Sequence, residues 1–161
     1  TPKPSSAASD VYKRQSECSI EMTLSVIGDR WSLLILRDLF RGVRRFEELR
    51  KDLGIAKNIL SDRLSKLHQA GIVEQQPYQV KPIRNEYFLT HKGRDLSPSL
   101  IALMHWGDRW YADGEPPTIL THSPCDTALE QITHCPTCNV HVNTDQISSR
   151  PGERHQLSKS A

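Results

Sequence analysis

With 161 residues, 37% of them hydrophobic, and a formal net charge of +2, the chain has room for one globular domain and a small appendage. No apolar run approaches the roughly 18–20 residues that cross a bilayer, and no basic-then-apolar signal stands at the start, so the expectation is a soluble, cytoplasmic protein without a membrane partner. Four cysteines in such a chain argue against a disulfide framework; Cys125, Cys135 and Cys138 crowd the last third while Cys18 stands apart.

In chain order, residues 1–15 are small, polar and aperiodic, which reads as a disordered or non-native leader. Ile20, Leu24 and Ile27 repeat at helical spacing between Cys18 and Gly28, predicting a short first helix. A second, about Arg30–Phe40, is apolar nearly all round and should be buried; Arg41-Gly42 stops it. After an extended stretch at Val43–Arg45, Phe46, Leu49 and Leu53 mark a third helix ended by Gly54. The fourth, around Ala56–Ala70, turns Ile59, Leu60, Leu64 and Leu67 inward and ends at Gly71. Two short helices joined by a turn containing Gly are the helix-turn-helix pattern.

The period then changes. Ile72–Glu74 and Glu86–Leu89 are short strand candidates around a polar loop holding Pro77, Lys81, Pro82 and Arg84, a wing with a basic tip. Thr90 is placed to cap a last long helix in which Leu96, Leu100, Leu103, Gly107 and Trp110 follow a 4-3-4-3 spacing. Pro98 should kink that helix or delay its start, and it should end near Gly114 before the Pro116-Pro117 linker. No internal repeat is evident. The predicted class is mainly α with a small β-hairpin (α+β): a winged helix-turn-helix domain over 16–114, a Cys/His-rich extension over 115–149 and a disordered tail over 150–161.

Charge concentrates where DNA would lie. Between Arg41 and Lys66 eight positive residues face four negative ones, an excess that phosphate neutralisation requires but that a solvated helix face shows equally. Opposite the inward face of the fourth helix stand Lys57, Asn58 and Ser61, groups able to bond base edges, at the end of the helix that leads into a major groove. Arg63, Lys66, Arg44 and Arg45 suit phosphate contact; Lys81 and Arg84 on the wing suit backbone or minor groove. The expected partner is double-stranded DNA. A protein-interaction winged helix with a metal- or redox-sensing cysteine cluster is the alternative, which the basic polar face disfavours.

The stretch Cys18–Trp110 resembles the HxlR family of winged helix regulators. The match runs through Cys18-Ser19-Ile20-Glu21, Ile27-Gly28-Asp29-Arg30-Trp31-Ser32-Leu33-Leu34-Ile35-Leu36-Arg37-Asp38-Leu39 and Arg45-Phe46-Glu47-Glu48-Leu49. It continues through Leu60-Ser61-Asp62-Arg63-Leu64-Ser65-Lys66-Leu67, Ala70-Gly71-Ile72-Val73 and Glu86-Tyr87-Phe88-Leu89-Thr90 with Gly93, ending at Trp106. The resemblance implies a homodimer on a palindromic operator, a repressor more often than an activator, with its first and last helices at the dimer interface. Two positions depart from the pattern: Ala56 replaces a capping Ser, and Asn85 stands where an apolar residue usually precedes Glu-Tyr.

The cysteines read as two separate jobs. Cys18 stands near the start of a helix, whose positive end favours a thiolate, and in several members of the resembling family the cysteine at this position senses oxidants or electrophiles; a small, buried, inert cysteine is the other reading. A small-molecule or electrophile inducer is therefore expected as a partner. Farther on, His122-x2-Cys125 and Cys135-x2-Cys138 supply four soft donors in two pairs, the ligand set of a structural zinc. His134 and His141 are spare donors, so the nitrogen ligand stays open, as do a Cys135/Cys138 dithiol switch and an unstructured tail. The segment also resembles the zinc-knuckle-like tail of some HxlR-type regulators. No acid-base constellation accompanies it, and no enzyme is expected.

Overall fold

The computed structural model describes residues 18–150; the expected leader and most of the expected tail lie outside the described residues. The chain divides into two compact units, one up to Met104 and one from His105. The architecture is α+β, helices with small antiparallel hairpins.

In the first unit, α1 (Ser19–Ile27), α2 (Arg30–Phe40), α3 (Phe46–Leu53) and α4 (Lys57–Gln69) follow one another through short turns. Asp29 starts α2: its carboxylate accepts from the Trp31 and Ser32 amides, both at 3.1 Å, satisfying two of the amides a helix start leaves unpaired. Gly54 makes the turn between α3 and α4 at φ 60, a conformation a side chain would strain, and Ile55 behind it is buried. Ile35 and Leu36 of α2, Leu49 of α3 and Leu60, Leu64 and Leu67 of α4 meet in one core. The apolar wrap of α2 does not bury all round: Phe40 is exposed, while the polar Ser32 and Asp38 are buried. Ser32 bonds Asp29, and Asp38 Oδ1 accepts from Arg37 Nε at 2.8 Å and from Arg41 at 3.2 Å.

Ala56 caps α4 with extended backbone and no side-chain bond. Ala56→Ser is expected to restore an acceptor for the exposed first-turn amides and raise stability by about 1 kcal/mol, or about 4–8 °C in Tm, read by thermal melting.

The wing is longer than the sequence predicts. Strands β1 (Val73–Val80) and β2 (Ile83–Leu89) pair antiparallel and leave only Lys81-Pro82, joined by a cis peptide, at the tip. Pro77 and Arg84 therefore sit in strands, not in the loop. The register slips between Pro77 and Gln79, leaving Tyr78 as the extra residue of a bulge, one of the places a strand tolerates proline. The extended Val43–Arg45 segment lies beside β2: the Tyr87 amide donates to Arg44 O at 2.9 Å and Arg45 bridges Glu86.

Thr90 caps a separate short helix, α5 (His91–Arg94), accepting from the Gly93 amide at 3.1 Å, rather than the last long one. The long helix, α6 (Ser97–Tyr111), begins afresh with Pro98 in its first turn, where the missing amide costs no helical bond. This segment also fastens the end of α4. Thr90 Oγ1 donates to Gly71 O at 2.7 Å and Lys92 Nζ to Ala70 O at 2.8 Å. Gly93 lies so close to the Ile72 carbonyl that a Cβ there would overlap it.

In the second unit, the Trp106 and Tyr111 rings meet tilted at 55° with centroids 5.3 Å apart, and two hairpins follow, β3 (Thr121–His122) with β4 (Thr127–Ala128) and β5 (His134–Cys135) with β6 (Val140–His141). The second hairpin repeats the first 13 residues on, an internal repeat invisible in the sequence pattern. No described residue from 105 onward is buried.

Candidate nucleic-acid interface

The core face of α4 fixes its outward face. With Leu60, Leu64 and Leu67 buried on one side, Lys57, Asn58 and Ser61 are exposed on the other, in the first turns after the helix turn. Among the described residues, none forms a hydrogen bond or ion pair with these three side chains. A lysine, an amide and a hydroxyl so displayed are a donor and acceptor set for base edges in a major groove.

The basic residues expected at phosphates fall into two groups. Arg45 Nε donates to Glu86 Oε1 at 2.9 Å and its guanidinium stacks 4.7 Å over Tyr78, so it ties the start of α3 to the wing. Arg63 reaches Asp62 at 3.1 Å and lies 3.0 Å from Asp29 Oδ1, an ionic contact without hydrogen-bond alignment at its Nε. Lys66 pairs with Asp62 at 3.0 Å. Arg44 instead rests 4.6 Å over the Phe88 ring with its charge unneutralised, and Lys81 and Arg84 are exposed along the wing without an ion pair. Among the candidate DNA contacts, Lys57, Arg44, Lys81 and Arg84 thus carry charge that no acidic side chain of the fold neutralises, free to meet phosphates.

Sequence reasoning missed Asp29, Glu86, Tyr78 and Phe88, the residues that hold the basic side chains in place. Asp29 alone carried a signal, an Asp after Gly at a helix start. Burial pushes its carboxyl up, but the Ser32 hydroxyl and amide, the Arg63 guanidinium and the Trp31 amide together hold it below the ordinary aspartate value. A depressed carboxylate contributes stability that is present above the unfolded-state value and lost as pH falls through the folded-state value. Thermal melts across the acid range should therefore show Asp29→Asn, which keeps a cap acceptor but not the charge, with a shallower acid loss than the wild type.

Cys18 is the N-cap residue of α1 and its side chain is exposed. In the extension, His122 Nδ1 lies 3.2 Å from Cys125 Sγ, which shares a 3.3 Å hydrogen bond with Thr127 Oγ1. The Thr127 hydroxyl and amide hold the Cys125 thiol below its ordinary value, and the amides of Cys138 and Thr137 do the same for Cys135. His134 Nε2 lies 3.2 Å from Asn139 Oδ1. Among the described residues, no three His, Cys, Asp or Glu side chains are gathered closely enough to hold a metal ion.

A family model described as HxlR-like helix-turn-helix matches residues 26–115, more than half of the chain. The chain belongs to the HxlR-like helix-turn-helix family. An uncharacterized HTH-type transcriptional regulator of Mycobacterium tuberculosis is 39% identical over 147 residues, 91% of this chain and 93% of that one. The crystal structure of PA1607, a candidate transcription factor, is similar at a TM-score of 0.77 and 34% identity, over 86% of this chain and 97% of that one. The redox regulator HypR in its oxidized form is similar at a TM-score of 0.55 and 33% identity, over 60% of this chain and 100% of that one. This HxlR-like protein is therefore a transcriptional regulator with a helix-turn-helix DNA-binding fold, not an enzyme.

Proposed function

We propose that this HxlR-like protein is a homodimeric repressor that occupies a two-fold symmetric operator in the cytoplasm and is released by an oxidant, electrophile or small molecule. The observation that carries the reading is the exposed, unengaged trio Lys57, Asn58 and Ser61 at the leading end of α4, with a wing whose Lys81 and Arg84 are also unpaired. Two helices support self-association. On α1, Ile20 is 70% exposed and Met22, Leu24 and Val26 are exposed too; on α6, Trp110 is 67% exposed together with Leu103 and Trp106. Large apolar side chains displayed in such numbers on one helix are the mark of an interaction surface. No helix among the described residues is long and apolar enough to cross a membrane.

Two features support the response to a signal. Cys18 is exposed at the start of α1, and the similar HypR is a redox regulator. An apolar cleft of about 330 Å³, bounded by Ser19, Met22, Val26, Ile72 and Leu96, begins one residue from that thiol and suits a small organic ligand.

The test is a fluorescence-anisotropy titration of the full chain on duplexes from upstream of its own gene and on scrambled duplexes, at several salt concentrations. Expected are a preference of about 10³-fold or more for a native duplex, a steep loss of affinity with salt, and oxidant-triggered release that Cys18→Ser abolishes. Equal affinity for scrambled DNA would overturn the regulator reading, and unchanged release from Cys18→Ser would remove the thiol from it.

A further inference from the structure

The DNA-binding reading leaves the extension without a task, and its physical state needs an explanation. It buries no residue, so no apolar core holds its two hairpins in place. Yet the hairpins share their local geometry at the 13-residue offset. In the first, the amides of Cys125 and Asp126 return to His122 O at 3.0 and 2.8 Å; in the second, the Asn139 amide returns to Cys135 O at 2.9 Å. The residue closing each turn is left-handed, Asp126 at φ 55 and Asn139 at φ 56. Each turn thereby presents a donor atom at its first and fourth positions: His122 with Cys125, and Cys135 with Cys138.

The repeat also separates the three histidines. His122 takes the place of Cys135, whereas His134 takes that of Thr121 and His141 that of Ala128, so these two face each other as a cross-strand pair away from the donor positions. The 3.2 Å between His122 Nδ1 and Cys125 Sγ is within a few tenths of an ångström of the edge, roughly 3.5 Å, of a tetrahedral zinc site with one nitrogen and one thiolate ligand. His134 is already engaged by Asn139.

We propose that the two hairpins, whose four donors are not yet gathered at one point in the structure, are the halves of one site that binds a single zinc-like divalent cation through His122, Cys125, Cys135 and Cys138, with His134 and His141 outside it. The half-sites are formed separately, and binding draws them together, so ordering of the extension and metal binding are one equilibrium. Each thiol that becomes a ligand gives its proton to solvent, and no electron transfer is involved. The extension is shared rather than peculiar to this chain, because a match over 147 residues with the mycobacterial relative takes in most of it.

The test uses the full chain, equilibrated with zinc and, separately, with cobalt(II) under reducing conditions. Expected are one metal per chain and the visible and thiolate-to-cobalt absorption bands of a tetrahedral sulfur-rich site. His122→Ala, Cys125→Ser, Cys135→Ser and Cys138→Ser should each weaken binding by more than the roughly 10–100-fold that loss of an outer-shell partner costs. His134→Ala, His141→Ala and Cys18→Ser should bind as the wild type does. Circular dichroism of each variant checks that its helices are retained, so that a loss of metal can be told from a loss of the winged helix. Less than a tenth of an equivalent, one metal per two chains, retention by a Cys135→Ser/Cys138→Ser double variant, or dependence on His134 in place of His122 would each overturn the site. None of these readouts involves DNA.

Discussion

Asn58→Ala and Lys57→Ala are each expected to weaken operator binding by about 5–150-fold, equivalent to about 1–3 kcal/mol, without shifting the Tm. Both side chains are exposed on the first turn of α4, and neither is used by the fold, so their removal costs the domain nothing. The two differ in kind. Asn58→Ala should lower the preference for operator over scrambled DNA and leave the salt slope intact, because an amide reads a base edge without displacing a counterion. Lys57→Ala should lower specific affinity too and, wherever its ammonium meets a phosphate, reduce the slope by about one. Anisotropy titrations at three or more salt concentrations separate the two. Arg63→Ala is a poorer probe, since it also removes the partner of Asp29 at the start of α2.

Leu60→Ala, one turn on and on the opposite face, is expected to do the converse. Leu60 is 0% exposed and belongs to the core shared by α2, α3 and α4, so truncation leaves a cavity and should cost about 2–5 kcal/mol. For a domain of this size that is a fall in Tm of some 10–30 °C, a large share of a stability that is ordinarily about 5–15 kcal/mol. Below the new midpoint, the folded fraction should bind DNA with affinity close to that of the wild type. Melting curves followed by circular dichroism, paired with binding at low temperature, check both halves. One helix thus divides its labour by face, and the two variants should dissociate stability from recognition.

That division was legible in the sequence, because helical periodicity is local. Leu60, Leu64 and Leu67 imply an outward Lys57, Asn58 and Ser61, and stop signals such as Gly28, Arg41-Gly42 and Gly54 place the helix ends within about a residue. What escaped the sequence is non-local or two-sided. Arg45 meets Glu86 and Arg63 meets Asp29 across long chain separations that no spacing encodes. The wing strands ran past their expected ends because most of β1 is exposed, so no alternation marks Gln75–Val80 as strand. Thr90 looked like the cap of the long helix because a capping residue announces a helix start and says nothing of its length. The hairpin repeat hid because only its turn chemistry recurs, His-x2-Cys against Cys-x2-Cys, while the strands around it differ. Burial of Asp38 depends on Arg37 and Arg41 folding back over it, which hydropathy does not record.

The central claim is that α4 reads a specific operator for a symmetric dimer, and selection from a random duplex library by the full chain tests it most directly. Enrichment of a two-fold symmetric sequence is expected, with half-sites about one helical turn, or 10–10.5 base pairs, apart, and that consensus should be lost with Asn58→Ala. A pool that stays random, or one that enriches identically for wild type and Asn58→Ala, would contradict it.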